Sequence, residues 1–244
     1  MNAKNKFFLT HLLVSFFIAL IAVIIVFMFW YPSPINKAVG ITHIVLMMLV
    51  IDVIVGPILG WFVYKVGKKT LKFDLSVIIF IQILALGYGV YSIAQARPTW
   101  IVFNVDRFEL VRNNEIYKQK ITNAKTEFQS PSWISPQYAS VKKIEDKKLR
   151  NDLMMQEIFS GVSLAQHPEL YQSLNLANVQ IQNKAQKLNV LNEFNSDGDV
   201  KSILAQYPQA NVWLPLQTKV VDMVVLINKD KGEVIKIVDL RPWK

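Results

Sequence analysis

The chain has no cysteine. That excludes disulfides, a thiolate nucleophile and any cysteine-bound zinc. Histidine is nearly as scarce. His11 and His43 lie in apolar runs and His167 stands alone outside them, so no histidine-based metal cluster can assemble. Charge is missing in long stretches. Residues 7–31 hold no Asp, Glu, Lys or Arg, residues 40–64 hold only Asp52, and residues 75–96 hold none. A helix needs about 20 apolar residues to cross the hydrocarbon layer. Each run is long enough, so the expectation is three membrane helices followed by a water-soluble part.

What charge there is falls unevenly. Residues 1–99 carry eight basic and two acidic side chains, and residues 100–244 carry 19 and 16. The excess of basic groups therefore belongs mostly to membrane flanks. No basic helix or basic–aromatic stripe stands out in the soluble part, which argues against nucleic acid as a partner. Lys4 and Lys6 precede the first run, and Lys65, Lys68, Lys69 and Lys72 sit between the second and third, whereas Lys37 is the one Lys between the first and second. Lys-rich short loops stay cytoplasmic. The N-terminus and the 65–74 loop are thus expected inside, and the 32–39 loop and everything after Arg97 outside. The first run is too long for the roughly 7–15-residue core of a cleaved signal, and it ends in Phe29-Trp30-Tyr31-Pro32 rather than in small residues.

Apolar attraction does not hold helices together in lipid, so close packing must. Gly56 and Gly60 lie four apart on the second run, on the side of Asp52, and Gln82, Ala85, Gly89, Ser92 and Ala96 line one face of the third. Pro57 is expected to kink the second helix. An ionised carboxylate at the bilayer centre costs about 2.5–3.5 kcal/mol on insertion scales. Asp52 should therefore be protonated or paired, with Gln82 as the candidate partner, or else receive a polar group from another membrane helix.

The soluble part opens with strands at 100–105 and 108–111, and Asn113-Asn114 reads as a hairpin turn. Residues 128–136 read as a loop. Residues 145–162 read as a helix with Met154, Met155, Ile158, Phe159 and Val162 on one broad face. Pro168 is expected to open a helix running through Leu174, with further helix over 179–191. Asp199 is expected to cap a short helix over 200–207. A turn at Lys229-Asp230-Lys231-Gly232 closes a C-terminal β-hairpin. Asp197-Gly198-Asp199 resembles the paired Asp of metal-dependent glycosyltransferases, but a polar turn feeding a helix explains it better. No catalytic cluster, metal site or cofactor site is legible.

Residues 52–74 read DVIVGPILGWFVYKVGKKTLKFD, and the string continues through IQILALGYGVYSIAQARPTW to VFNVDRFELV. The combination of Gly56-Pro57, Lys72-Phe73-Asp74, Ala96-Arg97-Pro98 and Val105-Asp106-Arg107-Phe108 resembles the TfpX/TfpZ family of type IV pilin accessory proteins, most strongly over residues 45–112. The resemblance implies a bacterial inner-membrane protein that supports assembly or surface display of a cognate pilin, with the pilus assembly machinery as a further partner. It supplies no catalytic residues. The expected architecture is membrane α+β: a three-helix transmembrane domain at 1–97, then a periplasmic α+β domain at 98–244 with a C-terminal β-hairpin. Joined to the residues, it suggests that Asp52, Gly56, Gly60, Gln82 and Gly89 contact the membrane helix of a membrane-embedded pilin. Arg97, Trp100, Arg241 and Trp243 would frame a membrane-proximal contact for the pilin head. The rival expectations are a pilin-modifying membrane enzyme and an envelope sensor with a periplasmic ligand domain. The expectation is a non-enzymatic role.

Overall fold

The structure is a computed structural model that describes residues 1–244. It divides into two compact units, one comprising Met1–Pro32 and Gly40–Ala96, the other Ser33–Val39 and Arg97–Lys244.

The first unit consists of three helices long and apolar enough to cross a membrane: α1 (Ala3–Trp30), α2 (Ile41–Val63) and α3 (Leu71–Gln95). Helix α2 is the middle of the unit, 33% buried over its most apolar window against 11% for each of the others. Both α1 and α3 pack principally on α2 rather than on each other. Polar contacts tie the ends. Lys4 Nζ lies 3.7 Å over the Trp61 ring and Trp61 Nε1 donates to Asn5 Oδ1 at 3.3 Å. Towards the other end, the Tyr31 hydroxyl donates to the Ile93 carbonyl at 2.9 Å. Elsewhere the flanks of all three helices expose Leu, Ile, Val and Phe, as lipid-facing surface requires.

The second unit is built on one eight-stranded sheet. Its strands are β1 (Pro98–Asn104), β2 (Arg107–Arg112), β3 (Gln137–Val141), β4 (Tyr171–Gln172), β5 (Gln186–Lys187), β6 (Val212–Gln217), β7 (Met223–Asn228) and β8 (Glu233–Val238). The order is β4-β3-β1-β2-β6-β7-β8, with β5 paired to β6. The β1–β3 and β2–β6 pairs are parallel; the others are antiparallel. Side chains alternate between faces. Ile101, Phe103, Leu214, Leu216, Val225 and Ile227 point to one face and share a core with Ile35 and Ala38, which come from the short segment between α1 and α2. On the opposite face Trp100 and Val102 join Phe128 and Tyr171, while Trp213, Val224 and Leu226 join Leu191 and Val200. Three helices of seven residues or more accompany the sheet: α4 (Lys147–Ser160), α5 (Asn178–Lys184) and α6 (Asp197–Leu204).

Several local expectations change. Asn113–Glu115 is a 3-10 turn, not a hairpin; the β1–β2 hairpin turns earlier, at Val105, which carries a φ of 58°. Pro168 opens only the 3-10 turn Pro168–Leu170. The helix expected over 179–191 stops at Lys184, where β5 adds to the sheet. Ser196, not Asp199, caps α6 through its hydroxyl, which accepts from the Asp199 N–H at 3.2 Å. The apolar face of α4 is exposed rather than packed, leaving Leu153 as its one buried residue.

Candidate functional site: a polar groove among the membrane helices

The central feature of α2 is a π-helical segment, Val50–Val55, ending at Gly56-Pro57. In a π register each carbonyl looks five residues ahead for its donor. The Gly56 N–H goes to the Ile51 carbonyl. The Asp52 carbonyl would then need the N–H of Pro57, which proline lacks. Gln82 of α3 fills that gap, its Nε2 donating to the Asp52 carbonyl at 3.1 Å. The expected Asp52–Gln82 partnership therefore exists, but through the backbone of Asp52 and not through its carboxyl. The distortion at Pro57 takes the form of a π segment directly before it, one of the established ways a proline-bearing helix is accommodated.

The glycines are filled from within the unit. A Cβ on Gly56 would stand 1.7 Å from Gln82 Nε2, one on Gly60 would stand 3.0 Å from Phe7 and 3.3 Å from His11, and one on Gly89 would stand 2.9 Å from the Met48 sulfur. These positions are close approaches between the chain's own helices, which leaves no open seam there for another helix.

Asp52 and Gln82 also face an opening between α1 and α3. This groove has a volume of about 320 Å³ and is walled by Phe7, Val14, Ile18, Ile79, Ile83 and Leu86, with Asp52, Gln82, His11, Thr10 and Ser15 as its polar groups. Asp52 is 6% exposed, and its Oδ1 has no hydrogen-bond partner. It is an acceptor when the acid is ionised, whereas the Gln82 side chain has His11 beside it as a partner. The groove thus offers apolar walls around a carboxyl oxygen that lacks a donor.

In the second unit the four expected contact residues do not form one exposed surface: Arg241 and Trp243 meet at Asp222, while Arg97 and Trp100 are buried. Trp100 is 1% exposed and packs edge-on against Phe128 and Tyr171, so it has no surface to give a partner. Arg97 is also buried, and its guanidinium stacks over Trp133, a tryptophan the sequence reading passed over. Arg241 bonds the Asp222 carbonyl and the Asp239 carboxylate, and Trp243 Nε1 donates to Asp222 Oδ2 at 2.9 Å. Asp239 also meets Lys37 Nζ at 2.9 Å. Burial works against ionising the Asp239 carboxyl, but Lys37 and Arg241 outweigh it and hold it below the usual carboxylate range. His167 is buried, with Nδ1 3.0 Å from Glu169 Oε1 and its ring on Tyr117, which is a structural arrangement within the fold. A second cavity, about 690 Å³, lies over β2 and carries Arg107, Glu109, Arg150, Glu157 and Lys219.

Known proteins bear on this geometry. Residues 1–40 match the family described as fimbrial assembly protein FimB. The chain is 32% identical over 164 residues to the fimbrial assembly protein of serogroup E1 from Dichelobacter nodosus, covering 66% of this chain and 63% of that one. It is 35% identical over 117 residues to the fimbrial assembly protein of serogroups C1 and C2 of the same organism, covering 47% of this chain and 88% of that one. The chain belongs to the FimB family of fimbrial assembly proteins. It spans 63% of the length of the serogroup E1 and serogroup I relatives it matches. No solved structure matches it. In this FimB-family chain, residues 1–40 hold the α1 wall of the groove, from Phe7 to Ala19, and also Ile35 and Ala38 of the sheet's core.

Proposed function

We propose that this protein is an inner-membrane accessory factor that binds its cognate type IV pilin and promotes the pilin's assembly or display. The N-terminus is cytoplasmic and the second unit periplasmic, a reading supported by the Lys distribution around the helices. Folding of residues 33–39 with residues 97–244 agrees with it, because three crossings leave those two stretches on one side.

One observation carries the binding mode: the groove between α1 and α3 with Asp52 at its floor. A groove of about 320 Å³ holds a few side chains of a neighbouring helix, not the helix itself. A pilin membrane helix lying along the opening would place side chains against Val14, Ile18 and Ile83 and bring a donor to Asp52. A second copy of this chain is a poorer occupant, since its charge-free runs carry no Lys or Arg to meet a carboxyl. Gly56, Gly60 and Gly89 serve this site indirectly, by seating the helices that form it.

Photo-crosslinkers placed at Val14 and Ile83 test the reading. They should capture pilin in the membrane, whereas one at the lipid-facing Leu84 should not; equal capture from all three positions, or none from the groove, refutes it. Asp52→Leu should reduce co-purification of pilin, and unchanged capture would remove Asp52 from the mechanism.

A further inference from the structure

The strand directions of the second unit define two ends of its sheet. The chain passes between the units at Ser33, Val39 and Arg97. Pro98 starts β1 and pairs with Arg112 at the end of β2. Because β3 runs parallel to β1, its first residue, Gln137, and the preceding loop 130–136 lie at that same end. Because β6 runs parallel to β2, it leaves the sheet towards that end: its last residue, Gln217, is level with Glu109, and the turn to β7 follows. That turn holds Ala38: its carbonyl accepts from the Thr218 hydroxyl at 2.9 Å and from the Val220 and Val221 N–H groups at 3.3 and 3.2 Å. Asp239, just past β8, meets Lys37. All three passages therefore lie at one end of the sheet. The hairpin tips at Val105 and Lys229–Gly232 lie at the other, beside α5, where Gln180 donates to the Val105 carbonyl and Gln182 to the Lys229 carbonyl.

The passage end also carries unburied aromatic and aliphatic side chains, among them two of the chain's exposed tryptophans. Trp133 and Ile134 are 63% and 65% exposed, Val220 is 62% exposed and Trp243 is 38% exposed. The loop that carries Trp133 is held in shape. Ser132 N–H donates to Gln137 Oε1, Ile134 N–H donates to the Ser132 hydroxyl, and the Arg97 guanidinium sits 4.0 Å over the Trp133 ring. Arg97 follows the end of α3 by two residues. Fixing a tryptophan and an isoleucine outward has no benefit in water, but Trp is the residue whose amphipathic ring settles at the level of lipid headgroups.

We infer that this end of the sheet is a lipid-contacting foot, with Trp133–Ile134 on one side and Val220–Trp243 on the other resting in the headgroup layer of the bilayer. The ligand is the phospholipid interface itself. The contact is made mainly by apolar and aromatic side chains, since Lys37 and Arg241 at this end are engaged with Asp239, and Lys219 with Glu115. The inference stands apart from pilin binding and survives its failure.

The absence of cysteine makes the test direct, since a single introduced thiol is the only labelling site. Ile134→Cys, Val220→Cys and, at the opposite end, the 70% exposed Val179→Cys each carry an environment-sensitive fluorophore in the full-length protein in lipid nanodiscs. Lipids bearing a nitroxide near the headgroup should quench positions 134 and 220 at least twofold more than position 179, and aqueous iodide should rank them in reverse. Equal lipid quenching at 134 and 179 overturns the foot, including the case in which that end faces a protein instead. Should the Ile134 variant misfold, Trp133→Phe serves in its place. Loss of a component of tryptophan emission quenched by brominated lipid supports the inference, and an unchanged quenched fraction overturns it.

Discussion

Gly56→Ala is a one-methyl change whose cost can be followed atom by atom. The new Cβ would stand 1.7 Å from Gln82 Nε2, 2.1 Å from its Cδ and 2.6 Å from its Oε1. Ordinary contact begins near 3.4 Å, so the amide must retreat by about 1.7 Å. Its 3.1 Å bond to the Asp52 carbonyl does not survive that shift. No backbone donor replaces it, because the Gly56 N–H serves Ile51 and Pro57 has none. Side-chain hydrogen bonds in membranes average about 0.6 kcal/mol and reach about 1.7, and stranding a buried acceptor costs about 1–3 kcal/mol. Against this, alanine is favoured over glycine inside a helix by about 1 kcal/mol. The net loss in the native protein is then between about 0.6 and 4 kcal/mol. A double-mutant cycle isolates the interaction, because the helix-propensity gain cancels between backgrounds. With Gln82→Ala already in place there is no amide to displace, and Gly56→Ala should be neutral or stabilising. Reversible unfolding in mixed micelles with added SDS, followed by circular dichroism, measures all four corners. The reasoning is refuted when Gly56→Ala costs the same in both backgrounds.

Other outcomes follow from the second unit. Ile35→Ala removes a side chain that is 5% exposed in the sheet's main core, so it should destabilise that unit by about 2–4 kcal/mol in denaturant unfolding, although residue 35 lies between two membrane helices in sequence. Met155→Ser with Phe159→Ser alters side chains that are 51% and 79% exposed, and should move the unfolding midpoint by less than about 0.5 kcal/mol. Burial opposes ionisation of Glu169, but hydrogen bonds from His167 and from its own backbone prevail and lower its pKa. A carboxyl depressed on folding adds stability above its unfolded pKa, near 4.3, and loses it as pH falls through the folded value. The advantage of the native protein over Glu169→Gln should accordingly be full at pH 6 and shrink below about pH 4 in pH-dependent melts; a constant difference would refute the pairing.

The architecture was legible where one pattern dominated. Charge-free runs announced the three membrane helices, and alternating Val, Ile and Phe announced β1 and β2 and the closing hairpin β7–β8. What escaped was decided at long range. Nothing in Ile35–Ala38 marks it as part of a sheet's core, because four residues have no period and their partners lie more than 60 positions away. The 3-10 turns at Pro168–Leu170 and Leu188–Glu193 read as helix because a helical pattern of leucines cannot reveal that Tyr171 and Gln186 will be drawn into strands β4 and β5. The exposed face of α4 misled in the opposite direction. Met154, Ile158 and Phe159 recur as core residues do, and periodicity reports that a face exists without saying what covers it.

The groove residues divide by what the fold itself demands of them. Gln82 has a structural duty that needs no partner: Pro57 removes a donor from the π segment, and the Gln82 amide restores it. Gly56 follows from Gln82, because only a hydrogen at that position leaves room for the amide. Gly60 and Gly89 follow likewise from Phe7 and Met48. The Asp52 side chain follows from nothing inside the unit. Its carbonyl is served whatever the side chain is, and its Oδ1 meets no donor at 6% exposure in a helix that crosses the membrane. Leucine there would spare the unit the expense of a desolvated carboxyl, of order 2.5–3.5 kcal/mol. A cost that packing does not recover, placed at the floor of a groove that opens sideways, is the reason to direct the pilin-binding experiments at Asp52 rather than at the glycines that first mark the helix.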